Sequence, residues 1–500
     1  MQKNVLEYLE NIVTQYPNKT AYADDKSRMT FNEVFSCSRA IGTFFHKNSY
    51  EREPLIVFMG RHIETIAAYY GVVYSGCSYV PIDEEMPRHR IDLIFKGLNP
   101  RAVICDAETQ KALQTYEYHG KIYLYEDIIK TEIDDKALRQ IRAKQLDIDP
   151  LYIVYTSGST GVPKGVAACH RSVIDYIESL SQILDVDEST IFGNQTPLYV
   201  DACLKELYPT LKFGATAYII PKELFMFPLK LADFLNEHKI NTICWVVSAL
   251  TMLSAFGVLG KNTPKYLRTI AFGSEVFPIK QFNLWKKHLP DARMINLYGP
   301  TETTGMACYY EANREFSPDE VIPIGKPFPN TEILLLDEED KPAGEGQVGE
   351  ICIRGTRLTL GYYNSFDKTN EVFVQNPLNP HYPELIYRTG DLGRYNDKGE
   401  LLFFSRKDNQ IKHMGHRIEL GEIEAAANLH PEVQLACCIY DEHRKKIVLF
   451  YTGTLNPGDM ATFMKGRVPR YMVPNSIRPL DSMPLTPNGK LDRMSLKASL

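Results

Sequence analysis

A segment rich in glycine and hydroxyl side chains, placed directly after a short apolar run, constrains this chain more than any other. Residues 151–154 are leucine, aromatic or β-branched and predict a buried strand. Residues 155–165 then combine three glycines, four serine or threonine hydroxyls and Lys164. Glycine lets the backbone approach a ligand closely, and N–H groups, hydroxyls and a lysine suit a polyphosphate. The alternative is a flexible surface loop. The Walker A pattern is excluded, because no Gly-Lys pair is followed by Ser or Thr.

Strand and helix signals alternate on both sides of this segment. A helical pattern covers residues 63–74 and ends at Gly76. Strands are predicted for five apolar runs, at 55–59, 79–83, 102–105, 216–220 and 242–247. Such alternation predicts βαβ units and a largely parallel sheet, with ligands at the carboxyl ends of the strands.

The pattern changes after residue 345. Glycines become frequent and the strands become short, as at 350–353 and 400–404, which predicts an antiparallel subdomain. The polar segment 405–410 predicts a domain boundary. We therefore predict an α/β protein with a large N-terminal domain, 1–404, which has layered parallel sheets and helices plus the antiparallel subdomain. A hinge, 405–410, and a small, mobile α+β C-terminal domain, 411–500, complete this prediction.

Composition excludes several classes of function. A net charge of −6 over 500 residues disfavours nucleic acid as a partner. No run of the chain is apolar enough to cross a membrane or to form a signal core. The ten cysteines lack metal-ligand spacing and lie mostly in apolar runs, which is typical of reduced core thiols. We expect a cytoplasmic protein.

Three further motifs can carry chemistry. The first is Asn296-Leu297-Tyr298-Gly299-Pro300-Thr301-Glu302. Its tyrosine can supply an aromatic face for a base, and its glutamate can supply a carboxylate for Mg²⁺. A strand followed by a turn and the start of a helix explains the same residues equally well. The second ends in Thr389-Gly390-Asp391, whose carboxylate can accept two ribose hydroxyls, although an ordinary Asx turn is the simpler interpretation. The third is an Asn-Gly turn that carries Lys490 and is by itself ordinary loop sequence.

Taken together and in this order, the motifs resemble those of the adenylate-forming superfamily over nearly the whole chain. The resemblance is closest to the amino-acid adenylation domains of nonribosomal peptide synthetases and to D-alanine–carrier protein ligases. The endings Leu-Gly-Glu-Ile-Glu at 420–424 and Asn-Gly-Lys-x-Asp-Arg at 488–493 favour this branch over acyl-CoA synthetases. Two positions depart from the pattern: Ser405 stands where glycine is usual, and Leu360 where arginine is common.

The resemblance implies a role for each matching residue. Catalysis is implied for Lys490, Glu302 and Lys164, with Glu302 also holding Mg²⁺, and Asp408 is implied to be the hinge pivot. ATP binding is implied for Thr156, Ser157, Gly158, Ser159, Thr160, Gly161, Gly273, Ser274, Glu275, Asn296, Leu297, Tyr298, Gly299, Pro300, Thr301, Asp391 and Arg406. Lys490 would contact both the substrate carboxylate and the α-phosphate, where charge builds during the reaction.

The resemblance also implies an amino-acid pocket. Asp201 would pair with the substrate α-ammonium, which fatty and aryl acids lack. The pocket would be lined by Asp201, Ala202, Lys205, Cys244, Ile270, Phe272, Leu297, Gly305, Met306 and Lys490. Lysine is almost never buried without a partner, so Lys205 extends to solvent, pairs with an acid such as Glu206, or meets an acidic substrate. Cys244 and Met306 would equally suit a small or sulfur-containing side chain.

These residues predict a ligase with two half-reactions. An amino acid and Mg·ATP give an aminoacyl-adenylate and pyrophosphate, and the phosphopantetheine thiol of a carrier protein then takes the aminoacyl group. We expect the carrier to act in trans or from a larger synthetase. The alternatives are a D-alanine–carrier protein ligase for cell-wall polymers, an acyl-CoA synthetase, and a nucleotide-binding sensor module without catalysis.

Overall fold

The computed structural model describes residues 2–156, 162–407, 410–484 and 491–500. The chain forms two compact units. The first contains residues 1–84, 100–154 and 166–407, and the second contains residues 85–99, 155–165 and 408–500. The predicted limits 1–404, 405–410 and 411–500 stay a prediction. The strand that enters the predicted hinge continues through Arg406, so Ser405 and Arg406 are strand residues rather than linker residues.

The described residues form strands of two to eleven residues. In chain order these are β1 Thr20–Ala23, β2 Arg28–Thr30, β3 Pro54–Phe58, β4 Ser78–Ile82, β5 Ala102–Cys105, β6 Lys121–Leu124, β7 Pro150–Thr156, β8 Lys164–Cys169, β9 Ile191–Asn194, β10 Thr216–Ile219, β11 Thr242–Val246, β12 Thr269–Gly273, β13 Arg293–Tyr298, β14 Cys308–Glu311, β15 Lys326–Pro327, β16 Thr331–Leu336, β17 Gly349–Gly355, β18 Phe373–Gln375, β19 Leu385–Tyr395, β20 Leu401–Arg406, β21 Gln410–His413, β22 His416–Glu419, β23 Val433–Asp441, β24 Lys446–Gly453 and β25 Ser476–Pro479.

Helices connect most of these strands. They are α1 Leu6–Gln15, α2 Phe31–Lys47, α3 Ile63–Tyr74, α4 Arg88–Leu98, α5 Thr109–Leu113, α6 Tyr125–Ile128, α7 Asp135–Lys144, α8 His170–Leu184, α9 Leu204–Phe213, α10 Pro228–Glu237, α11 Val247–Ala255, α12 Val258–Lys261, α13 Ile279–His288, α14 Phe366–Val372, α15 Leu420–Asn428, α16 Pro457–Lys465 and α17 Arg493–Ala498. Short 3₁₀ helices span Asp201–Cys203, Lys222–Met226, Thr301–Thr303 and Arg470–Met472.

Two mainly parallel sheets form most of the first unit. One has the strand order β6-β5-β3-β4-β7-β8, and the other has the order β15-β14-β13-β12-β11-β9-β10-β1-β2. A single core cluster contains residues of both sheets together with α1, α2, α3, α8 and α9, so these helices lie between the sheets. A second cluster packs α10, α11 and α13 on the opposite face of the nine-stranded sheet. The predicted α/β class is confirmed.

The remaining sheets are smaller. In the first unit, β16, β17, β19, β18 and β20 form an antiparallel sheet, as predicted for the glycine-rich region after residue 345. In the second unit, β23 and β24 are antiparallel, β25 adds a parallel strand, and β21 and β22 form a hairpin. With α15, α16 and α17 these strands give the predicted α+β composition.

Local sequence explains several element ends. Thr30 and Glu33 form a reciprocal capping box at the start of α2. Gly214 has a φ of +71° and ends α9 in the left-handed conformation that glycine favours. Pro209 lies inside α9, and because proline lacks an N–H, the carbonyl of Lys205 loses its helical donor.

Among the described residues, no helix is both long and apolar enough to span a membrane.

Candidate functional site

A tight turn after β13 organises the first unit's predicted nucleotide residues. β13 ends at Tyr298, Gly299 and Pro300 follow, and the 3₁₀ helix Thr301–Thr303 completes the turn. A Cβ at Gly299 would overlap the carbonyl oxygen of Gly305, so the turn requires glycine there. Gly305 itself has a φ of +88°, which also favours glycine.

Tyr298, Asp391 and Arg406 form one buried cluster. The Tyr298 hydroxyl donates a hydrogen bond to Asp391 Oδ2 at 2.5 Å, and the Arg406 guanidinium pairs with Oδ1. Asp391 and Arg406 are register neighbours on β19 and β20, so backbone pairing places their side chains together. Burial and the Asp391 carboxylate raise the pKa of Tyr298, which keeps the phenol protonated as a donor. The structure thus brings together two sequence motifs that lie about ninety residues apart.

Glu350 fixes the turn that presents Asp391. It accepts the backbone N–H of Gly390 at 3.0 Å, Arg388 Nε at 3.0 Å and Lys407 Nζ at 3.1 Å. Gly390 has a φ of +71°, so the turn between Thr389 and Asp391 needs glycine. In sequence, Glu350 was visible only as the first residue of a predicted short strand, because its partners lie 38 to 57 residues further along the chain.

Glu302 is the most buried carboxylate of the β13 turn. Its side chain is 1% exposed, and its Oε1 accepts the Tyr362 hydroxyl at 2.7 Å. A buried carboxylate is a hard oxygen ligand of the kind that Mg²⁺ uses when it bridges phosphates, where one or two protein carboxylates suffice. No group of three or more Asp, Glu, His or Cys side chains with metal-ligand geometry occurs among the described residues, so a self-sufficient protein cage is absent there.

Asp201 contacts the same turn directly. It begins the 3₁₀ helix before α9, is partly buried, and accepts the Thr301 hydroxyl at 3.2 Å on Oδ1. Desolvation raises the pKa of Asp201 to about 6, against the opposing attraction of Lys205. The carboxylate predicted to bind an ammonium and the motif predicted to bind the nucleotide are therefore joined at Thr301.

The predicted side-chain pocket is only partly brought together. Cys244, Leu297 and Met306 belong to the core cluster between the sheets, and Ala202 is adjacent to Asp201. Ile270 and Phe272 instead pack in the cluster on the opposite face of the nine-stranded sheet. Side chains alternate along a strand, so Ala271, the register partner of Cys244, is the β12 residue that shares its face. The lining of the pocket by Ile270 and Phe272 stays a prediction.

Tyr176 of α8 was absent from the predicted pocket. A Cβ at Gly305 would lie 2.7 Å from Tyr176 Cζ, so the tyrosine ring occupies the space that a side chain at position 305 would take. The ring is fully buried. In sequence, Tyr176 is one apolar position of an amphipathic helix and carries no motif that would distinguish it from the core.

Arg357, also missed, holds the segment that carries Gly305 and Met306. Its guanidinium is 1% exposed and donates to Asp175 Oδ2 at 3.0 Å, to the Met306 carbonyl at 3.2 Å and to the Pro329 carbonyl at 2.9 Å. Its own carbonyl accepts the Thr304 hydroxyl at 2.8 Å. A buried arginine with four anchoring bonds fixes one wall of the proposed pocket.

The predicted Gly273-Ser274-Glu275 motif follows β12. A Cβ at Gly273 would overlap the Leu297 carbonyl oxygen, so glycine permits the close packing of β12 on β13. Ser274 has a φ of +69°. Glu275 accepts the backbone N–H of Ser248 at 2.9 Å. Asn296 donates to the Pro323 carbonyl at 2.8 Å, which ties β13 to the following loop.

The remaining predicted residues belong to the second unit or lie outside the described residues. Thr156 ends β7 and Lys164 begins β8, both in the second unit. Ser157, Gly158, Ser159, Thr160, Gly161, Asp408 and Lys490 lie outside the described residues. Their roles stay predictions.

Comparisons with known proteins identify the family of this chain. Residues 9–363 match the AMP-binding enzyme family, and residues 422–490 match its C-terminal domain. Over 99% of its length the chain is 30% identical to tyrocidine synthase 1 from Brevibacillus parabrevis and to gramicidin S synthase 1 from Brevibacillus brevis. It spans 45% and 44% of the length of these relatives, respectively.

Solved structures share the fold over the whole chain. The adenylation domain AlmE of Vibrio cholerae, in complex with glycyl-adenosine-5'-phosphate, superposes with a TM-score of 0.85 at 20% identity, covering 100% of this chain and 98% of that one. A double mutant of o-succinylbenzoate CoA synthetase from Bacillus subtilis gives a TM-score of 0.84 at 20% identity, covering 99% and 98%. Fold likeness thus extends to proteins with different acyl substrates. On the family match, the chain is a member of the AMP-binding enzymes, the adenylate-forming ligases.

Proposed function

We propose that this chain activates an amino acid as its aminoacyl-adenylate and transfers it to the phosphopantetheine thiol of a carrier protein. ATP use follows from family membership. The observation that carries the amino-acid part is the Asp201 carboxylate, held at 3.2 Å by Thr301 within the nucleotide motif. A desolvated carboxylate is costly without a cationic partner, and the α-ammonium of an amino acid supplies one.

The side chains divide the first half-reaction between them. Asp391, with Tyr298 and Arg406 fixed on its two oxygens, would accept the ribose hydroxyls. Asp201 would orient the amino acid so that its carboxylate faces the α-phosphorus. Attack forms the acyl–phosphate bond, and the bond to the β-phosphate oxygen breaks as pyrophosphate leaves. Lys490 is proposed to stabilise the charge that builds on these oxygens.

Mg²⁺ fits this arrangement through Glu302. The Tyr362 hydroxyl donates to Oε1 of this carboxylate, and a buried carboxylate of this kind would hold Mg²⁺. When bound, Mg²⁺ supplies charge neutralisation on the phosphates. The second half-reaction would follow when the carrier thiolate attacks the acyl carbon and AMP departs. Domain rotation about Asp408 is proposed between the two steps.

Three alternatives make different demands on the same residues. An acyl-CoA synthetase has no use for a carboxylate at position 201, because its substrates lack the ammonium. A sensor module has no use for Glu302 and Lys490 together. A D-alanine–carrier protein ligase uses the same catalytic groups and differs only in the substrate. The tyrocidine and gramicidin S synthases that align with 99% of this chain support activation of an amino acid, and so does the glycyl-adenylate in the AlmE structure.

The test is ATP–pyrophosphate exchange across the twenty amino acids and D-alanine. One responding amino acid supports the proposal, and Asp201→Asn should lower its kcat/KM by about 100-fold, or about 3 kcal/mol, since an ion pair with the ammonium is lost. Lys490→Ala should lower exchange by at least about 3 kcal/mol. Asp233→Asn is the matched control, because this α10 carboxylate bonds only Asn262 among the described residues and lies outside the site.

The outcomes separate the candidates. Exchange with D-alanine alone assigns the cell-wall type of ligase. Exchange only with acids that lack an amine, unchanged by Asp201→Asn, replaces the proposal with an acyl-CoA synthetase. ATP binding without any acid-dependent exchange leaves the sensor module. Transfer of labelled amino acid to a holo carrier, but not to its apo form, checks the second half-reaction.

A further inference from the structure

Lys205 is a buried cation without a partner among the described residues. It lies in the first turn of α9, one helical turn after Asp201, and is 6% exposed. Its ammonium forms no ion pair or hydrogen bond with any residue that the structure describes. A lysine with so little exposure in a folded protein is almost always paired.

Asp201 and Glu206 attract Lys205, but neither carboxylate forms an ion pair with it among the described residues. Asp201 faces the ammonium of the substrate in the proposed function. Glu206 is fully buried, and its Oε2 accepts Asn194 Nδ2 at 3.3 Å while Oε1 has no partner among the described residues. Burial raises the pKa of Glu206 to about 8, with Lys205 acting in the opposite direction, so this carboxyl group is mostly protonated at neutral pH.

The groups that interact with these two acids include further hydrogen-bond donors. Arg61 donates to Asn194 and to the Ile220 carbonyl behind Glu206. The hydroxyls of Tyr152 and Tyr176 are buried and lack partners in the described part of the chain, and burial raises the pKa of both. Cys244, which interacts electrostatically with Lys205 and Glu206, is a buried neutral thiol because burial raises its pKa. These donors, together with the ammonium, call for an anionic acceptor.

We propose that the side-chain pocket takes an α-amino acid with a second carboxylate, and that Lys205 is the residue that pairs with it. This inference rests on the proposed function and names the substrate class of that site. A second carboxylate supplies the missing counter-ion and accepts hydrogen bonds from the unpartnered hydroxyls. A neutral side chain would leave the ammonium buried without a partner, and a basic one would add a like charge beside it.

The test compares exchange with two pairs of amino acids, glutamate with glutamine and aspartate with asparagine. The members of each pair differ in side-chain charge but hardly in size. Wild-type exchange should favour the acid by about 100-fold or more, since a buried polar site rejects the analogue that leaves its groups unpaired. Lys205→Met keeps the length of the side chain, removes the charge and should abolish that preference, whereas Lys205→Arg should retain part of it. Lys212→Met, on the same helix but paired with Glu178, should leave amino-acid choice unchanged.

A binding measurement separates recognition from catalysis. Calorimetry with the unreactive glutamyl- and glutaminyl-sulfamoyl adenosines should show the same order of affinity, with the order lost in Lys205→Met and kept in Lys212→Met. Circular dichroism of each variant checks that the fold is intact.

Two results overturn the inference in distinguishable ways. Exchange only with neutral or basic amino acids refutes it and leaves the proposed function standing. An acid preference that persists in a folded Lys205→Met variant also refutes the role of Lys205. Exchange with no amino acid at all removes the proposed function, and this inference with it.

Discussion

Replacing Arg357 with methionine tests how the wall of the pocket is held. The guanidinium is 1% exposed and makes three bonds, to Asp175, to the Met306 carbonyl and to the Pro329 carbonyl. Methionine fills similar space but donates nothing. Asp175 would keep a single described partner, Asn330 Nδ2 at 3.0 Å.

The expected cost follows from these contacts. A charge-assisted hydrogen bond contributes about 1.5–3 kcal/mol and each bond to a carbonyl about 1 kcal/mol. Loss of one partner of a buried ion pair costs about 3–5 kcal/mol. The Asp175 side chain is 16% exposed and can recover some hydration, so we expect the lower end, about 3 kcal/mol. Since Met306 loses its anchor, the KM for the amino acid should rise several-fold while the KM for ATP stays unchanged.

Urea unfolding followed by tryptophan fluorescence measures this cost. Both tryptophans, Trp245 and Trp285, are buried in the first unit, so their signal reports the unit that contains Arg357. Combining Arg357→Met with Asp175→Asn should give a coupling free energy of about 2 kcal/mol. Arg314→Met is the control, because its pair with Glu320 is exposed and worth about 0–1 kcal/mol. A cost for Arg357→Met no larger than that of the control would refute the reasoning.

Three further predictions concern other contacts. Tyr362→Phe should lower the rate of adenylate formation by about tenfold, because Glu302 loses the hydroxyl that orients it, and should lower the free energy of unfolding by about 1–3 kcal/mol, because a buried carboxylate loses a donor. Gly299→Ala should abolish exchange and destabilise the first unit, because a Cβ there overlaps the Gly305 carbonyl oxygen. Although burial disfavours its charged form, hydrogen bonds with Asp106 and Glu64 raise the pKa of His62 to about 9. The stabilisation is therefore fully present below about pH 6.5 and lost as the pH rises through about 9, so His62→Gln should destabilise the protein at about pH 6 but hardly at about pH 10.

Each of these has a contradicting result. An unchanged rate in Tyr362→Phe would mean that Glu302 needs no orientation by this hydroxyl. A Gly299→Ala variant with wild-type exchange would show that the turn can open. If the difference in unfolding free energy between wild type and His62→Gln does not shrink with rising pH, the imidazolium is not the stabilising form.

Secondary structure followed the sequence closely where patterns were local. The helix predicted at 63–74 and the strand predicted at 102–105 occur with those bounds. The alternation predicted a largely parallel sheet, and the structure has two mainly parallel sheets. Predicted strand 242–247 ends at Val246, because Val247 already begins α11. The polar segment after residue 404 was interpreted as a linker, yet Ser405 and Arg406 extend β20 because pairing with β19 outweighs their polarity.

The sequence by itself determined the family, the order of the motifs and the chemical type of most site residues, since these depend on short runs of particular side chains. Only the tertiary structure decided which of them meet. It paired Asp391 with Tyr298 and Arg406, joined Asp201 to Thr301 and added Tyr176 and Arg357. It also placed Ile270 and Phe272 on the face of the nine-stranded sheet opposite Ala271 and Cys244, because strand pairing, not composition, fixes which face of a sheet a side chain occupies. Burial of Lys205 was likewise undetermined in sequence, because a helical lysine reaches solvent or the core depending on what packs around it.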